Sequence, residues 1–296
     1  MSQFKPDKIR NFCITAHIDH GKTTLSTKLL ELSGTIQRSK MNALYLDKLR
    51  VEKERGITVK AQTATMFYEY DGETYLLNLI DTPGHVDFTY EVSRSMTACE
   101  GALLLVDAVK GVQAQSVANW WLALQNNLTI IPAINKIDLV TAQPEKIVEQ
   151  LKTSLAFKAE QVLKISAVTG AGLDMVFPSV VEIIPPPVDA TNEPLKALLF
   201  DSWYQDIFTG VICLVKLASG SIKAGDKITA ASTGKVYDVS EVGIMHPEPA
   251  ATDGLFTGQV GYVKIGMKST KEARVGDTFY AQGKPVEPFP GFKQAK

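Results

Sequence analysis

Phe12-Cys13-Ile14-Thr15-Ala16-His17-Ile18-Asp19-His20-Gly21-Lys22-Thr23 is the stretch that decides the fold. Its first five residues are an apolar run, and the amphipathic stretch Thr23–Leu32 follows the short polar loop. A buried strand that turns through such a loop into a helix builds a phosphate cradle. Successive backbone N–H groups and the helix N-terminus present positive potential to phosphate oxygens. On this reading Ala16, His17, Ile18, Asp19, His20, Gly21, Lys22, Thr23 and Thr24 contribute to a nucleotide-binding loop. Lys22 reaches the β and γ phosphates, and the Thr23 hydroxyl binds Mg²⁺. Ala16 stands where such loops usually carry a first glycine, which is tolerable only if that residue avoids positive φ.

Outward from this loop, up to about Ile184, apolar and amphipathic stretches alternate. Phe12–Ala16, Tyr75–Ile80, Ala102–Val106, Leu128–Ile134 and Val162–Ile165 read as buried strands. Thr23–Leu32, Gln113–Leu124 and Pro144–Leu155 read as helices. Near-continuous apolar strands separated by helices predict a mostly parallel sheet covered on both faces, an α/β arrangement. One pairing breaks the rule: Thr65–Tyr70 and Thr74–Ile80 flank Asp71-Gly72, a dipeptide suited to the left-handed turn of an antiparallel hairpin. Pro185-Pro186-Pro187 ends the last helix and stiffens a linker. Beyond it, short β-branched runs are punctuated by Ser219-Gly220, Ala224-Gly225-Asp226, Thr233-Gly234, Asp253-Gly254, Gly258 and Gly276-Asp277. This spacing predicts an all-β barrel. The expected domains are therefore residues 1–186, of P-loop NTPase type, and the barrel at residues 187–296.

Further motifs fall at the ends of predicted strands, where ligands gather in α/β sheets. Asp81-Thr82-Pro83-Gly84-His85 offers a carboxylate that can hold Mg²⁺ through water and, at Gly84, an N–H for a γ-phosphate. Asn135-Lys136-Ile137-Asp138 follows the apolar strand Leu128–Ile134. The Asp138 carboxylate can accept from guanine N1–H and the 2-amino group, a donor pair that adenine lacks, so this motif selects GTP over ATP. Ser166-Ala167 suits a backbone contact to guanine O6. Between loop and hairpin, Glu52–Thr58 reads either as a solvated helix face or as a switch. In the switch reading the Thr58 hydroxyl ligates Mg²⁺ while γ-phosphate holds the loop, and Gln37–Arg55 is the mobile segment.

Several function classes recede. Lys and Arg total 31 against 32 Asp and Glu in the 296-residue chain, which argues against a general polyanion-binding surface. Cys13, Cys99 and Cys213 lie far apart without CxxC spacing and read as free thiols of a reducing compartment. His17 and His20 have HxxH spacing, but no further Cys/His cluster supports zinc. His246 reads as a surface-loop residue. No apolar stretch approaches the roughly 20 residues of a membrane span. Residues 1–11 contain no apolar h-region and are too short for an Arg-rich transit peptide, which leaves a mature or engineered start open.

Taken together, Ala16–Thr23, Glu54–Thr58 and Asp81–His85 resemble the translational GTPases, the family of elongation factors Tu and G, in which Ala16 is a customary form. Within it the chain is similar to the elongation factor 4 (LepA) family, and more particularly to its mitochondrial branch. The segments that carry this likeness are Ile9–Phe12, Leu46–Leu49, Ile57–Gln62, Tyr90–Arg94, Ile184–Pro187, Asp201–Trp203 and Pro285–Lys293. Family members continue past the barrel, so the resemblance implies an N-terminal two-domain portion. Val168 stands where the family more often has lysine.

The resemblance implies a ribosome-dependent GTPase of translation elongation that favours back-translocation or rescue of stalled ribosomes. It implies that His85 positions the attacking water, that Ile18 and Ile57 form an apolar gate, and that Asp19 helps bind a monovalent cation. GTP or GDP and Mg²⁺ are the implied cofactors. Implied partners are rRNA and ribosomal proteins, with tRNA reached through C-terminal domains. A monomer in the mitochondrial matrix, peripheral to the inner membrane, is implied, with the bacterial cytoplasm as the alternative. The rivals are a GTP-state binding module with little turnover and a BipA-like or initiation-factor-like relative.

Overall fold

The computed structural model describes residues 4–36, 62–81, 89–206 and 210–290. The chain divides into two compact units, one formed by Arg10–Pro185 and the other by the residues from Pro186 onward together with the N-terminal ones up to Ile9.

In the first unit, β1 (Ile9–Ala16) leads into α1 (Lys22–Leu32), and the hairpin of β2 (Gln62–Tyr70) and β3 (Glu73–Asp81) precedes α2 (Thr89–Met96). Then come β4 (Gly101–Asp107), α3 (Ala114–Gln125), β5 (Thr129–Asn135), α4 (Pro144–Leu155), β6 (Leu163–Lys164) and α5 (Val176–Ile183). The six strands form one sheet in the order β2-β3-β1-β4-β5-β6. β1 with β4, β4 with β5 and β5 with β6 pair in parallel, while β2 and β3 pair antiparallel. The expected hairpin turn is there: Asp71 and Gly72 both have positive φ, at 50° and 75°, between the paired Tyr70 and Glu73. The last strand is shorter than its apolar run suggested, since only Leu163 and Lys164 pair with β5.

Strand alternation explains why both faces carry helices. Leu103 and Leu105 of β4 join a cluster with Phe12, Ile14, Leu25 and Leu29 from β1 and α1, and with Val176 and Val180 from α5. Leu104 and Val106 point the other way, into a cluster with Ile147, Leu151 and Leu155 of α4 and the partly buried Trp120 of α3. α4 opens on Pro144 at its first position, and the left-handed Ala156 (φ 59°) closes it by donating to Leu151 O. α5 ends where Ile184 becomes extended ahead of Pro185, as a residue before proline tends to do.

In the second unit an eight-stranded sheet carries the core. The strands are β7 (Lys196–Asp206), β8 (Gly210–Ser219), β10 (Lys227–Ala230), β11 (Val236–Asp238), β12 (Glu241–Met245), β13 (Pro249–Ala251), β15 (Val260–Lys264) and β16 (Thr278–Ala281). Their order is β11-β10-β16-β7-β8-β15-β12-β13, with antiparallel pairings. β9 (Ser221–Ile222) and β14 (Leu255–Phe256) form a separate pair. Register shifts at three places along β7–β8 mark bulges, which bend and twist a long ribbon. Gly220, Gly225, Gly234, Gly258 and Gly276 take positive φ at the turns anticipated for them. Cys213 is buried on β8, and burial, with Asp201 nearby, pushes its thiol up to about 12. Cys13 and Cys99 of the first unit are also free and buried. His246 is half-buried in the bend between β12 and β13, where its N–H donates to Glu248 O (2.9 Å).

Candidate functional site: a strand-end phosphate loop and its supports

The loop after β1 takes its shape from two left-handed residues, Asp19 (φ 63°) and Gly21 (φ 92°). Ala16 is not among the positive-φ residues, which is why alanine is tolerated there. Gly21 caps α1, and Leu25 N–H donates back to its carbonyl at 2.9 Å. Lys22, Thr23 and Thr24 form the first turn of the helix.

Asp81, at the end of β3, meets that first turn. Lys22 Nζ lies 2.8 Å from Asp81 Oδ1, and Ser26 Oγ donates to the same oxygen at 3.0 Å. Thr23 lies between these two residues on α1. The other carboxylate oxygen, Asp81 Oδ2, is buried and has no hydrogen-bond partner among the described residues. A buried carboxylate oxygen without a donor is costly, and a hard divalent cation bound directly or through water satisfies it. Thr23 and Asp81 therefore fit a Mg²⁺ site of the sparse kind, completed by phosphates and water. Among the described residues no group of three or more His, Cys, Asp or Glu could hold a metal alone.

Asn135, at the end of β5, ties three loops together. Its Nδ2 donates to His20 O at 2.9 Å, and its Oδ1 accepts from Ala167 N–H at 2.9 Å. Of the Ser166-Ala167 backbone, expected from sequence to contact guanine O6, the Ala167 N–H is thus engaged within the protein, and a ligand oxygen there would share it. Ser166 steadies the same loop by accepting from Thr169 N–H (3.1 Å) through Oγ. Lys136 is left-handed (φ 67°) and donates to Asp19 O, while its ammonium pairs with Asp107 Oδ2 at 2.8 Å. Asp138 is exposed, and among the described residues no hydrogen bond or ion pair engages its carboxylate. Val168 is also exposed.

Three supporting residues escaped the sequence reading. Asn119 Nδ2 on α3 donates to Ala16 O (3.3 Å), and Gln115 Oε1 accepts from Ile18 N–H (3.1 Å). Asp107 ends β4 and caps the following turn, with Oδ1 accepting from Val109 N–H (2.7 Å) and Lys110 N–H (3.0 Å). Asp107 shares the strand-end position of Asp81 and Asn135, and that was a readable signal. Gln115 and Asn119 are one helical turn apart on α3, and nothing local marks them out.

His17 and His20 meet edge to face with centroids 5.1 Å apart. His20 is buried, with Nδ1 3.3 Å from Leu105 O and 3.2 Å from the Asp107 N–H, so its tautomer decides which contact is a bond. Burial holds its pKa down at about 4, against the smaller opposing pulls of Leu105 O and Asp107. His17 is also lowered, by burial first and then by Lys110, with Asp19 and Gln115 opposing. Lys110 sits 3.6 Å from the Asp19 carboxylate. For Asp107 burial alone would raise the pKa. The hydrogen bonds from Lys136, Lys110 and Val109 outweigh it and hold the carboxyl below its usual range.

Thr58, Thr82, Pro83, Gly84 and His85, Ile57 (expected to form a gate) and the segments Gln37–Arg55 and Glu52–Thr58 lie outside the described residues.

Residues 7–186 match the family described as "Elongation factor Tu GTP binding domain", and residues 210–280 match "Elongation factor Tu domain 2". The chain is 56% identical over 317 residues to "Translation factor GUF1 homolog, mitochondrial" of Dictyostelium discoideum, covering all of this chain and 46% of that protein. It is 57% identical over 301 residues to the protein of that name from Arabidopsis thaliana, covering all of this chain and 45% of the other. The chain thus spans a little under half the length of these relatives. Among solved structures, a bacterial selenocysteine-specific elongation factor EF-Sec superposes with a TM-score of 0.74 at 21% identity, over 93% of this chain and 45% of that one, a likeness of fold.

Proposed function

Since the chain belongs to the family of the elongation factor Tu GTP binding domain, we propose that it is the guanine-nucleotide-binding and GTP-hydrolysing portion of a ribosome-dependent translation factor. Its relatives named translation factor GUF1 homolog, mitochondrial, support the elongation factor 4 type and a mitochondrial location. On this reading it serves back-translocation or the rescue of stalled ribosomes in the matrix, as a monomer near the inner membrane. tRNA is reached through segments beyond this chain. The working domains are residues 1–186 and 187–296.

One observation carries the reading: Asn135 joins the phosphate loop at His20 to the base loop at Ala167, beside the free carboxylate of Asp138. One side chain would thereby join a phosphate cradle to the base loop, with a carboxylate suited to guanine N1–H and its 2-amino group three residues further along the chain. Ala16–Thr24 would bind the phosphates, Lys22 would neutralise the β and γ oxygens, and Asn135, Lys136, Asp138, Ser166 and Ala167 would hold the base. Asp81, Thr23 and Thr58 would hold Mg²⁺, with Thr82, Pro83 and Gly84 beside the γ-phosphate. Bound Mg²⁺ would offset phosphate charge during transfer to water. By resemblance to the family, His85 orients that water, Ile18 and Ile57 gate it, and Asp19 helps a monovalent cation.

Competition against fluorescent GDP should show GTP displacing the probe at concentrations at least a hundredfold below ATP. Single-turnover hydrolysis should accelerate on adding ribosomes to the longer protein and fall back in His85→Ala. Equal competition by ATP would sink the guanine assignment, and a His85→Ala variant with unchanged stimulated turnover would remove the role given to His85.

A further inference from the structure

Asp107 ends β4 in register with Asn135 at the end of β5, and the backbone fastens the two together, Ala108 N–H donating to Asn135 O at 2.8 Å. The Asp107 side chain is almost wholly buried and its two oxygens have separate tasks. Oδ1 accepts the N–H groups of Val109 and Lys110, and Oδ2 takes the Lys136 ammonium at 2.8 Å. Its own N–H lies 3.2 Å from His20 Nδ1 in the phosphate loop. Lys136 in turn donates to Asp19 O. Asp107 therefore touches both halves of the nucleotide site through other residues.

We propose that Asp107 is a positioning residue that acts through Lys136 to set how long guanine nucleotide stays bound. This rests on the nucleotide-binding reading above. The physical reason lies in Lys136, whose backbone is left-handed at φ 67°, a region a long side chain visits only when its surroundings hold it there. A flexible four-carbon stem ending in an ammonium needs a fixed counter-charge to take one position. The Asp107 carboxylate is such a charge, since two backbone donors immobilise it. A charge-assisted hydrogen bond of this kind is roughly twice as strong as a neutral one. An asparagine would keep Oδ1 for the turn and present an amide N–H₂ to the ammonium, replacing attraction by repulsion.

Asp107 lies beside the base loop and the β1–α1 loop, not beside the end of β3, so its effect should not depend on the γ-phosphate. The test is stopped-flow release of N-methylanthraniloyl GDP and GTP from this chain and from the variants D107N, K136M and D107N/K136M. D107N should speed release of both nucleotides by the same factor, about tenfold or more, while circular dichroism shows the chain still folded at the assay temperature. The double variant should release no faster than K136M alone, because the two residues act as one unit. Release from D107N at the wild-type rate, or effects that multiply in the double variant, would overturn the proposal. If D107N does not fold, D107S, whose hydroxyl can still accept from the turn, takes its place with the same expectations. Failure of the wild-type chain to bind the probe at all would instead sink the nucleotide-binding reading.

Discussion

A Cβ built on Gly21 would lie 2.4 Å from Asn135 Nδ2, the atom that donates to His20 O. The glycine at the head of α1 and the asparagine at the end of β5 are thus fitted to each other. A side chain at Gly21 would have to displace the Asn135 amide from His20 O.

Gly21→Ala should accordingly fail twice. Alanine at φ 92° carries left-handed strain of about 1–2 kcal/mol, and displacing Asn135 breaks a buried hydrogen bond worth roughly 1–3 kcal/mol. Calorimetry should find the Arg10–Pro185 unit melting about 5–10 °C lower, with affinity for GDP reduced at least a hundredfold. A variant with wild-type melting and affinity would mean that the loop relaxes around the methyl.

Acid should weaken the same loop through His20. The folded chain holds this histidine at about 4 against an ordinary 6.5, so between those values the unfolded chain takes up a proton that the folded chain refuses. His20 therefore costs nothing above about pH 6.5, and stability is lost progressively as the pH falls toward 4, by at most roughly 3 kcal/mol. His17, Asp107 and Lys136 face it and set the detail. Urea midpoints between pH 4 and 7 should fall less steeply in His20→Gln than in wild type. Parallel curves would assign the acid sensitivity elsewhere.

Asp138 gives a sharper test of base reading. Inosine nucleotides lack the 2-amino group, so the wild-type site should prefer GDP to IDP by about tenfold to a hundredfold, the value of one hydrogen bond to a charged acceptor. In Asp138→Ala the two should bind equally and weakly. A preference for GDP surviving in that variant would place the 2-amino acceptor on another residue.

The hairpin should depend on a buried polar chain. Thr65 Oγ1 donates to Asn78 Oδ1 (2.9 Å), Asn78 Nδ2 to Asn11 Oδ1 (2.7 Å), and Asn11 Nδ2 to Glu100 Oε2 (2.8 Å). Asn78→Leu keeps the branched shape with somewhat more bulk but removes two of these bonds, and should destabilise the first unit by about 2–3 kcal/mol. Thr65→Val removes one and should cost about 1 kcal/mol. Equal losses in chemical denaturation would show that the chain does not act as a series.

Where the residue pattern carries its own geometry, sequence was enough. The Asp71-Gly72 turn follows from which residues accept positive φ, and the covering of both sheet faces follows from apolar residues on both sides of β4. The order of the nucleotide motifs needs only their places at strand ends. Asp138 could be proposed because a guanine base would dictate the chemistry of its acceptor. What stayed hidden is whatever depends on a partner distant along the chain. Asn119 meets Ala16 across 103 residues, and Gln115 meets Ile18 across 97. No local pattern distinguishes them from other polar residues on α3. The orphaned Asp81 Oδ2, the depressed His20 and the Asp107–Lys136 pair are likewise products of burial, and burial exists only once the strand ends have been brought side by side. Sequence by itself determined the order of strands and helices in the first unit, the hairpin turn and the residue types proposed for a guanine nucleotide. Tertiary structure alone decided which side chains hold those residues in place, because hydrogen bonds and desolvation act over a few ångströms of space and take no account of distance along the chain.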